Sequence, residues 1–490
     1  MPLPENGAPW PPPAMATPYA EMRTDDAWYS GDAQRLARIY AGGTRGDGRR
    51  RLWGRPRPAP GGRDTRMHIP LPGDIATTAA DLLWAEAPTI TVPTPATQDR
   101  LDVLVAEGGV VNTLLEGAEV GAALGGHYLR VTWDTDLARR PLLTVVHADA
   151  AIPTFRWGLL VAVTFWHELT GSSSATVLRH LERHEPGRIL HGLYEGTAES
   201  LGRRVPLTEH PETAALADSL GPDGDSIATG IRELTAAYVP NMRPNRRHRG
   251  SQLGRSDYGA PLYDLFDGLD ETWTSWLRDI RLARARLIVP DSYLRDRGPG
   301  RGAAFDGDRE IWQALNIPPG EGEGITLSQF SIRVEEHERT AAAITRTAVQ
   351  MAGYSPQSFG EGGDAVAATA TEVVARERRS MVTRLKKLGY AVPEISRILY
   401  VMLLLDRQLY TPGLIPERPT VTPADSVSED PETTARTLSL LQQAQAVSAD
   451  TRVRMLHPDW DDTAVAAEVD RILTETGAAV PDPMQAGDRD

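Results

Sequence analysis

The sequence predicts an α+β fold that is predominantly helical, with one block of antiparallel strands in its first half. Between residues 128 and 195 the apolar residues recur with a period of two, in runs separated by Gly, Pro and Asp. From residue 256 onward apolar residues recur every three or four positions, as on one face of a helix. A strand block of this kind buries one face against neighbouring helices.

Composition limits the possible classes of function. A chain of 490 residues with a net charge of −14 is long enough for several structural units. Cysteine is absent, which excludes disulfides, thiolate metal sites and cysteine nucleophiles. We expect a cytosolic protein outside the membrane, because no apolar run approaches the roughly 18 residues of a span and the N-terminus lacks a signal-peptide pattern. The acidic balance argues against tight binding to the DNA backbone, although DNA could slide past such a surface.

The N-terminal part of the sequence predicts a tail, a loop and helices. Residues 1–24 are rich in Pro and Ala without a period, which is typical of a flexible tail. Residues 45–64 mix Arg, Gly and Pro and favour a solvated loop over a nucleic-acid-binding arm. A helix capped by Asp74 is predicted over 74–86, and residues 101–123 repeat its pattern. The apolar face of the first helix consists of Ile75, Ala79, Leu82 and Leu83.

The clearest helix in the sequence begins near residue 256 and extends to Leu287. Acidic residues occupy its first half and arginines its second half, which complements a helix macrodipole. The acidic residues are Asp264, Asp267, Asp270 and Glu271, and the arginines are Arg278, Arg281, Arg284 and Arg286. The apolar stripe consists of Leu262, Leu265, Phe266, Leu269, Trp273, Trp276, Leu277, Ile280 and Leu287.

Further helices follow this one. Residues 291–330 run through Gly, Pro and Asp clusters, which predicts a compact insertion. A helix over 335–351 comes next and is interrupted at Gly353. A glycine-rich bend then precedes a long helical run from about Ala365, and residues 430–477 are helical again.

The sequence meets none of the patterns for catalysis or metal binding. His180 and His184 are four residues apart, as two zinc ligands on a helix would be, but their surroundings predict strands. The glycine-rich segment near Gly298 lacks the Gly-Lys-Ser/Thr of a phosphate-binding loop. Paired acids such as Glu335 and Glu336 are typical of solvated helix faces. We therefore predict no catalytic residue, no metal site and no bound cofactor.

A basic run lies on the last long helix. It shares that helix with an apolar stripe, so a solvated face is the simpler interpretation. Contact with passing phosphate, or with an acidic face of a neighbouring subunit, is the functional alternative, and the sequence leaves both open. The residues that would make such contacts are Arg376, Arg379, Lys386 and Lys387, of which the last two are the only lysines in the chain.

Three segments resemble a known family. The segment VPNMRPNRRHRGSQLGRSDYG precedes the helix that begins near residue 256, and it contains a Gly-x-Ser-Asp-Tyr turn made by Gly254, Ser256, Asp257 and Tyr258. The segments LLWAEAPTITV and QMAGYSPQSFGEGGDAVAATATEVVARERRS fit the same pattern in the same order. Over residues 25–475 the chain resembles SPP1-like phage portal proteins, also called head-to-tail connectors.

The resemblance implies the phage portal fold and its regions. These are a flexible N-terminal tail (1–24), a wing of helices and antiparallel strands (25–255), a first stem helix (256–289), a clip (290–332), a second stem helix (333–352), a channel loop (353–370), a long wing helix (371–424), and a helical crown with the C-terminal tail (425–490). Stem-helix packing would use Leu262, Phe266, Leu269, Trp273, Trp276 and Ile280. The channel loop would present Ser355, Gln357, Ser358, Phe359, Glu361 and Asp364.

The function implied by the resemblance is that of a DNA conduit rather than an enzyme. Portal proteins form a ring, dodecameric in the family, at one capsid vertex of the virion, after assembly in the host cytoplasm. Double-stranded DNA passes through the axial channel during packaging and ejection. The implied partners are further copies of the chain, the major capsid protein, the terminase large subunit and a head-completion or adaptor protein, and no membrane. Two alternatives remain: another capsid-associated protein, such as a minor head protein, and a metal-dependent hydrolase, which would need clustered ligands.

Overall fold

The chain folds into two compact units. The structure, a computed structural model, describes residues 3–41, 51–56, 64–173, 175–222, 224–283, 286–288, 295–296, 303–304, 326–328, 331–360, 370–424, 438–444, 446–457 and 460–475. Unit 1 comprises Met1–Gly363 and Glu377–Pro423. Unit 2 comprises Asp364–Arg376 and Ala424–Asp490.

The helices and strands of the described residues give a mixed α and β fold, as predicted. The α-helices are α1 (Pro13–Ser30), α2 (Ala33–Ile39), α3 (Leu71–Trp84), α4 (Pro95–Glu107), α5 (Val110–Leu124), α6 (Pro211–Ala217), α7 (Ala260–Leu282), α8 (Val334–Ala352), α9 (Ala370–Leu409), α10 (Ala449–Leu456) and α11 (Asp462–Glu475). The strands are β1 (Thr89–Thr91), β2 (Gly126–Thr132), β3 (Leu142–His147), β4 (Ala151–Arg156), β5 (Leu159–Glu168), β6 (Val177–Glu185), β7 (Arg188–Gly196), β8 (Arg203–Val205), β9 (Ser226–Ala228), β10 (Ala236–Pro240), β11 (Arg286–Ile288), β12 (Arg295–Asp296), β13 (Ala303–Ala304), β14 (Thr326–Ser328) and β15 (Thr420–Thr422).

The predicted strand block is confirmed. Strands β4 to β8 form one antiparallel sheet in chain order, and β9 pairs with β7. Strands β10, β2 and β3 form a second antiparallel sheet. The five runs with a period of two correspond to β2, β3, β5, β6 and β7. Between these sheets and helices α1, α3, α5 and α7 lies a continuous core of buried apolar side chains, because each element buries one face.

The helix predicted over residues 74–86 begins earlier, at Leu71, so the prediction of Asp74 as its cap is wrong. Asp74 lies in the first turn, and Pro72 occupies one of the first two helical positions, where proline is favoured. The predicted apolar face is buried at Ile75, Ala79 and Leu83. The helix predicted over residues 101–123 is two helices, α4 and α5, which meet at Gly109, where φ is +60°.

The prediction of a flexible tail over residues 1–24 is wrong for the described part of that range. Prolines start α1 at Pro13, and Tyr19 of this helix donates a hydrogen bond to the carbonyl of Ala151 (2.9 Å). Ahead of the helix, the ring of Trp10 packs edge-on against Trp166, with 5.0 Å between the ring centroids. Large aromatic side chains thus hold a segment whose Pro content had indicated a tail.

Part of the loop predicted over residues 45–64 is buried rather than solvated. A short 3₁₀ helix, Leu52–Gly54, buries Leu52 and Trp53. The backbone N–H of Leu52 donates to Asp267 (3.0 Å), and the indole of Trp53 donates to Asp270 (2.9 Å). These two acids of α7 are therefore buried hydrogen-bond acceptors rather than solvated charges on the helix surface. Residues 45–50 and 57–63 lie outside the described residues.

The first long helix, α7, is shorter at both ends than residues 256–289. It begins at Ala260, after the turn made by residues 254–259, and ends at Leu282. Leu287 and Arg286 lie in β11, which pairs antiparallel with β14. The β-branched residue that follows them and the proline at position 290 favour extended backbone there. Most of the predicted insertion, and Arg284, lie outside the described residues.

The helix predicted over 371–424 is α9, and it ends at Leu409 rather than near 424. A proline at position 412 stops it, and β15 then pairs with β1. Within unit 1 this helix is part of an apolar core, with Ile398, Leu399 and Leu403 fully buried. Its segment Glu377–Leu409 is long and apolar enough to cross a membrane, but half of the most apolar window is buried in protein, and core helices meet the same criterion.

Unit 2 is helical where it is described beyond residue 424, as predicted for 430–477. Helices α10 and α11 contact each other. Arg454 of α10 forms ion pairs with Asp450 (3.1 Å) and with Asp462 at the start of α11 (2.8 Å). Between the two helices the rings of His457 and Trp460 stack at 3.9 Å.

Candidate functional site

Helices α7 and α8 form an antiparallel pair on either side of the insertion. Gly268, in the first half of α7, lies opposite Ile344, in the second half of α8. Near the other end, the carboxylate of Asp279 accepts a hydrogen bond from Arg333 (2.9 Å) and lies 3.0 Å from Nε2 of His337. Hydrogen bonds from His337 and Arg333 lower the pKa of Asp279. The helix–insertion–helix order predicted from the sequence is therefore present.

The apolar stripe of α7 changes from buried to partly exposed along the helix. The first three predicted packing residues are buried in the core of unit 1: Leu262, Phe266 and Leu269. In the second half, Trp273 and Trp276 are partly exposed, and Ile280 is 45% exposed. The ring of Trp276 stacks on His337 at 5.9 Å. The first half of the stripe stabilises this chain, whereas the second half leaves apolar surface that a neighbouring molecule could cover.

A buried ion pair ties the start of α7 to α9. Lys387 is 3% exposed, and its Nζ lies 2.5 Å from Oδ2 of Asp257. The same carboxylate accepts hydrogen bonds from the hydroxyl of Tyr354 (2.7 Å) and from Nδ2 of Asn241 (2.9 Å). Burial lowers the pKa of Lys387 and Asp257 opposes that shift, while burial raises the pKa of Tyr354. This network joins three parts of the chain at one point.

The interpretation of Lys387 as a contact to phosphate or to a neighbouring subunit is therefore wrong, because its ammonium group is enclosed and paired inside the chain. Arg379 and Lys386 lie on the exposed face of the same helix. The side chain of Arg376 lies outside the described part of the structure. Successive residues of a helix point about 100° apart, which separates Lys386 from Lys387.

The first part of the predicted channel loop is attached to α9. Gly353 ends α8 with φ +107°, and its carbonyl accepts a hydrogen bond from Thr383 (2.6 Å). Ser355 is 2% exposed, and its backbone N–H donates to the hydroxyl of Ser380 (2.8 Å). The hydroxyl of Ser358 lies 3.0 Å from the same oxygen. In the isolated chain these two predicted channel residues hold the loop in place.

Of the other four predicted channel residues, two lie in the described part of the loop and two lie outside it. The ring of Phe359 packs against Tyr354, with 6.2 Å between the centroids. Oε1 of Gln357 is buried without a hydrogen-bond partner among the described residues. Glu361 and Asp364 lie outside the described residues. Their contact with DNA stays a prediction.

The two histidines that the sequence offered as zinc ligands, His180 and His184, have hydrogen-bond partners within the protein. His184 lies 2.7 Å from Glu182 and 2.6 Å from the hydroxyl of Thr235. His180 stacks on His191, and burial lowers the pKa of His180 to about 3. Both of the paired histidines named in the sequence lie on β6, as the strand prediction required. Within the described residues no group of three His, Cys, Asp or Glu side chains could hold a metal ion.

Sequence reasoning missed the network around Asp257, although it named the turn that contains this residue. Asp257 and Lys387 are 130 positions apart, so no local pattern joins them. One signal was present. Lys387 lies seven positions after the buried residue Ser380, and four and eight positions before the buried residues Ala391 and Ile395, which places it on the core face of α9.

Comparison with known proteins gives structural likeness without sequence likeness. No protein-family model matches the chain, and no curated protein matches it. Among solved structures, it is similar to a chain in the virion of a native gene transfer agent particle (TM-score 0.42, 15% identity, 81% of this chain and 95% of that chain). It is also similar to chains in the neck of the empty particle computed with C6 symmetry (0.43, 16%, 82% and 96%) and in the neck of the native particle computed with C12 symmetry (0.38, 14%, 79% and 89%). The proposals below rest on the contacts within this chain.

Proposed function

We propose that this chain is a portal protein, the subunit of a ring through which double-stranded DNA enters and leaves a capsid. The observation that carries the proposal is the order of elements after residue 254. Two antiparallel helices flank an insertion, a tethered loop follows, and a long helix returns to the core. This order matches the stem, clip, channel loop and wing helix of the family that the sequence resembles.

The partly exposed half of α7 supports assembly into a ring. A cyclic ring closes when one face of each subunit packs on a different face of the next. Trp273, Trp276 and Ile280 provide apolar area for such a contact, because the core of the chain does not fully cover them. In this proposal the ring is a dodecamer, and the second half of α7 lies between subunits.

The remaining roles follow from the position of such a ring. It would occupy one vertex of the virion capsid, contact the major capsid protein, and receive the terminase large subunit and later an adaptor protein at the clip. The force for packaging would come from the terminase, and the chain itself would have no catalytic role. The net charge of −14 would limit adhesion of DNA to the channel.

Negative-stain electron microscopy with native mass spectrometry of the full chain tests the proposal. We expect rings with a central hole, because a heterologous interface that closes generates a ring, and about twelve subunits, the number in the family that the sequence resembles. The matched variants are Ile280→Asp, in the partly exposed half of α7, and Leu137→Asp, at a residue that is 77% exposed between β2 and β3.

The two variants have different expected effects. Ile280→Asp buries a carboxylate in the subunit contact and should weaken assembly by roughly tenfold or more. Leu137→Asp should assemble like the original chain, and circular dichroism should show both variants folded. Rings that form equally well with Ile280→Asp would exclude α7 as the subunit contact, and a full chain that stays monomeric at every salt concentration would contradict the portal proposal.

A further inference from the structure

A basic cleft lies beside the buried Asp257–Lys387 pair in unit 1. Its volume is about 610 Å³, and no carboxylate lines it among the described residues. Five cationic side chains line it, three from the segment between β10 and α7 and two from α9: Arg243, Arg246, Arg255, Arg379 and Lys386. The end of α8, at Met351 to Gly353, forms another part of the wall. The chain is acidic overall, so this concentration of positive charge is local.

The positive charge of the cleft is not neutralised within the described part of the chain. Nε of Arg255 and Nε of Arg243 are buried and have no hydrogen-bond partner there. Burial lowers the pKa of Arg255, the neighbouring charge of Arg246 lowers it further, and the carboxylate of Asp257 only partly opposes these two effects. A bound anion would relieve both effects, since it would supply hydrogen-bond acceptors and opposite charge to guanidinium groups already held together.

Hydrogen bonds hold the segment that carries the arginines in one arrangement. Asn245 donates from Nδ2 to the carbonyl of Gly254 (3.1 Å). The guanidinium of Arg243 donates to the carbonyl of Gln252, and the hydroxyl of Tyr390 on α9 donates to the carbonyl of Arg243 (3.4 Å). The backbone segment that carries Arg243, Arg246 and Arg255 is therefore fixed before any ligand arrives, which reduces the entropy lost on binding.

We infer that this cleft binds phosphate groups of the DNA backbone. The identity of the ligand rests on the proposed function, because a portal subunit meets DNA. Arginine supplies four of the five cations, and its planar guanidinium binds phosphate oxygens with two parallel hydrogen bonds. A cleft of this size can accept phosphate groups but is too narrow for a DNA duplex. The cleft would therefore contact the DNA backbone and would not read the base sequence. The remaining negative surface would confine DNA contact to such points.

Fluorescence anisotropy with a labelled duplex of about 30 base pairs, measured between about 50 and 200 mM salt, tests this inference. The cleft variant is Arg246→Ala with Lys386→Ala, two exposed side chains whose loss should leave the fold intact. The control is Arg156→Ala with Arg232→Ala, which removes the same charge from exposed positions outside the cleft. Sodium tripolyphosphate serves as competitor, and ring formation is recorded for every sample.

We expect the cleft variant to bind DNA roughly tenfold to a hundredfold more weakly at about 0.1 M salt. Its slope of log affinity against log salt should become shallower by about 1.8, at about 0.9 for each lost phosphate contact. The control pair should retain the affinity and slope of the original chain. Tripolyphosphate should displace DNA from the original chain, as expected for two ligands that share phosphate chemistry.

Four results would overturn the inference. Equal losses in both pairs would mean diffuse attraction rather than a site. Tripolyphosphate binding that depends on the cleft, with no cleft-dependent DNA binding, would assign the cleft to free polyphosphate. If the cleft variant loses its rings but still binds DNA, the cleft would be assigned to an acidic segment of a neighbouring copy. Rings that bind no DNA through the cleft would overturn the inference and leave the portal proposal standing. In contrast, a chain that never forms rings but binds DNA through the cleft would contradict the portal proposal alone.

Discussion

Replacing Lys387 with Met should destabilise unit 1 far more than the same replacement at Lys386. Lys387 is 3% exposed and is the cation of a buried pair, so its loss leaves the carboxylate of Asp257 enclosed, with Tyr354 and Asn241 as its side-chain donors among the described residues. Removing one member of a buried ion pair costs about 3–5 kcal/mol. The two remaining hydrogen bonds place the expected cost at the lower end, about 3 kcal/mol.

Lys386 is the matched control because it is the adjacent residue on the same helix and carries the same side chain. Its side chain is exposed, so Lys386→Met should change the free energy of unfolding by no more than about 0.5 kcal/mol. Urea unfolding followed by tryptophan fluorescence measures the difference. With a slope of roughly 3 kcal/mol per molar urea, the midpoint for Lys387→Met should fall by about 1 M.

A double variant separates the ion pair from simple loss of packing. Asp257→Asn combined with Lys387→Met removes both charges, so it should be more stable than Lys387→Met alone, because no uncompensated charge stays buried. Equal midpoints for Lys387→Met and Lys386→Met would refute the reasoning, because they would show that Lys387 reaches water. A double variant less stable than either single one would show that the two side chains act separately.

Two further predictions concern the core. Gly117→Ala should destabilise the chain by about 1–3 kcal/mol, because the added Cβ would lie 2.7 Å from the ring of His127. Gly389→Ala on α9, where the added Cβ would have no atom within 4 Å, should stabilise the chain by about 0.5–1 kcal/mol. Equal urea midpoints for the two variants would contradict this prediction. Burial raises the pKa of Asp25 from 3.8 to about 7, so the native state keeps a proton that the unfolded chain has lost. The stability contributed by this proton is fully present below pH 3.8. It is lost as the pH rises from 3.8 through about 7, by up to about 1.4 kcal/mol per pH unit. Asp25→Asn should remove that slope in urea titrations at several pH values, and an unchanged slope would show that Asp25 is ionised throughout.

Local periodicity predicted which segments are strands and which are helices. The period of two in β5, β6 and β7 predicted strands, although the structure buries residues on both faces of β6 and β7. The stripe of α7 predicted a helix, whose first half packs on the core. The ends of elements were predicted less well. Leu287 continues the helical stripe, yet it lies in β11, because pairing with β14 competes with helix propensity at that point.

Contacts between distant parts of the chain could not be predicted from these patterns. The composition of residues 1–24 indicates a tail, and only the sheet that receives Trp10 makes the segment ordered. Asp267 and Asp270 look like surface charges on α7, and only the backbone of Leu52 and the indole of Trp53 make them buried acceptors. In both cases the deciding partner lies more than a hundred residues away, where spacing carries no information.

The buried ion pair and the basic cleft depend on each other through chain connectivity. Asp257 lies two residues after Arg255, and Lys387 lies one residue after Lys386, so the pair brings together the two segments that line the cleft. Helix geometry turns Lys387 into the core and Lys386 toward the cleft. The five cations that line the cleft repel one another, so the two segments that carry them need a contact that holds them together. The buried pair carries no net charge, so it joins the two segments without cancelling the charge of the cleft, and the five outward cations remain available to a ligand.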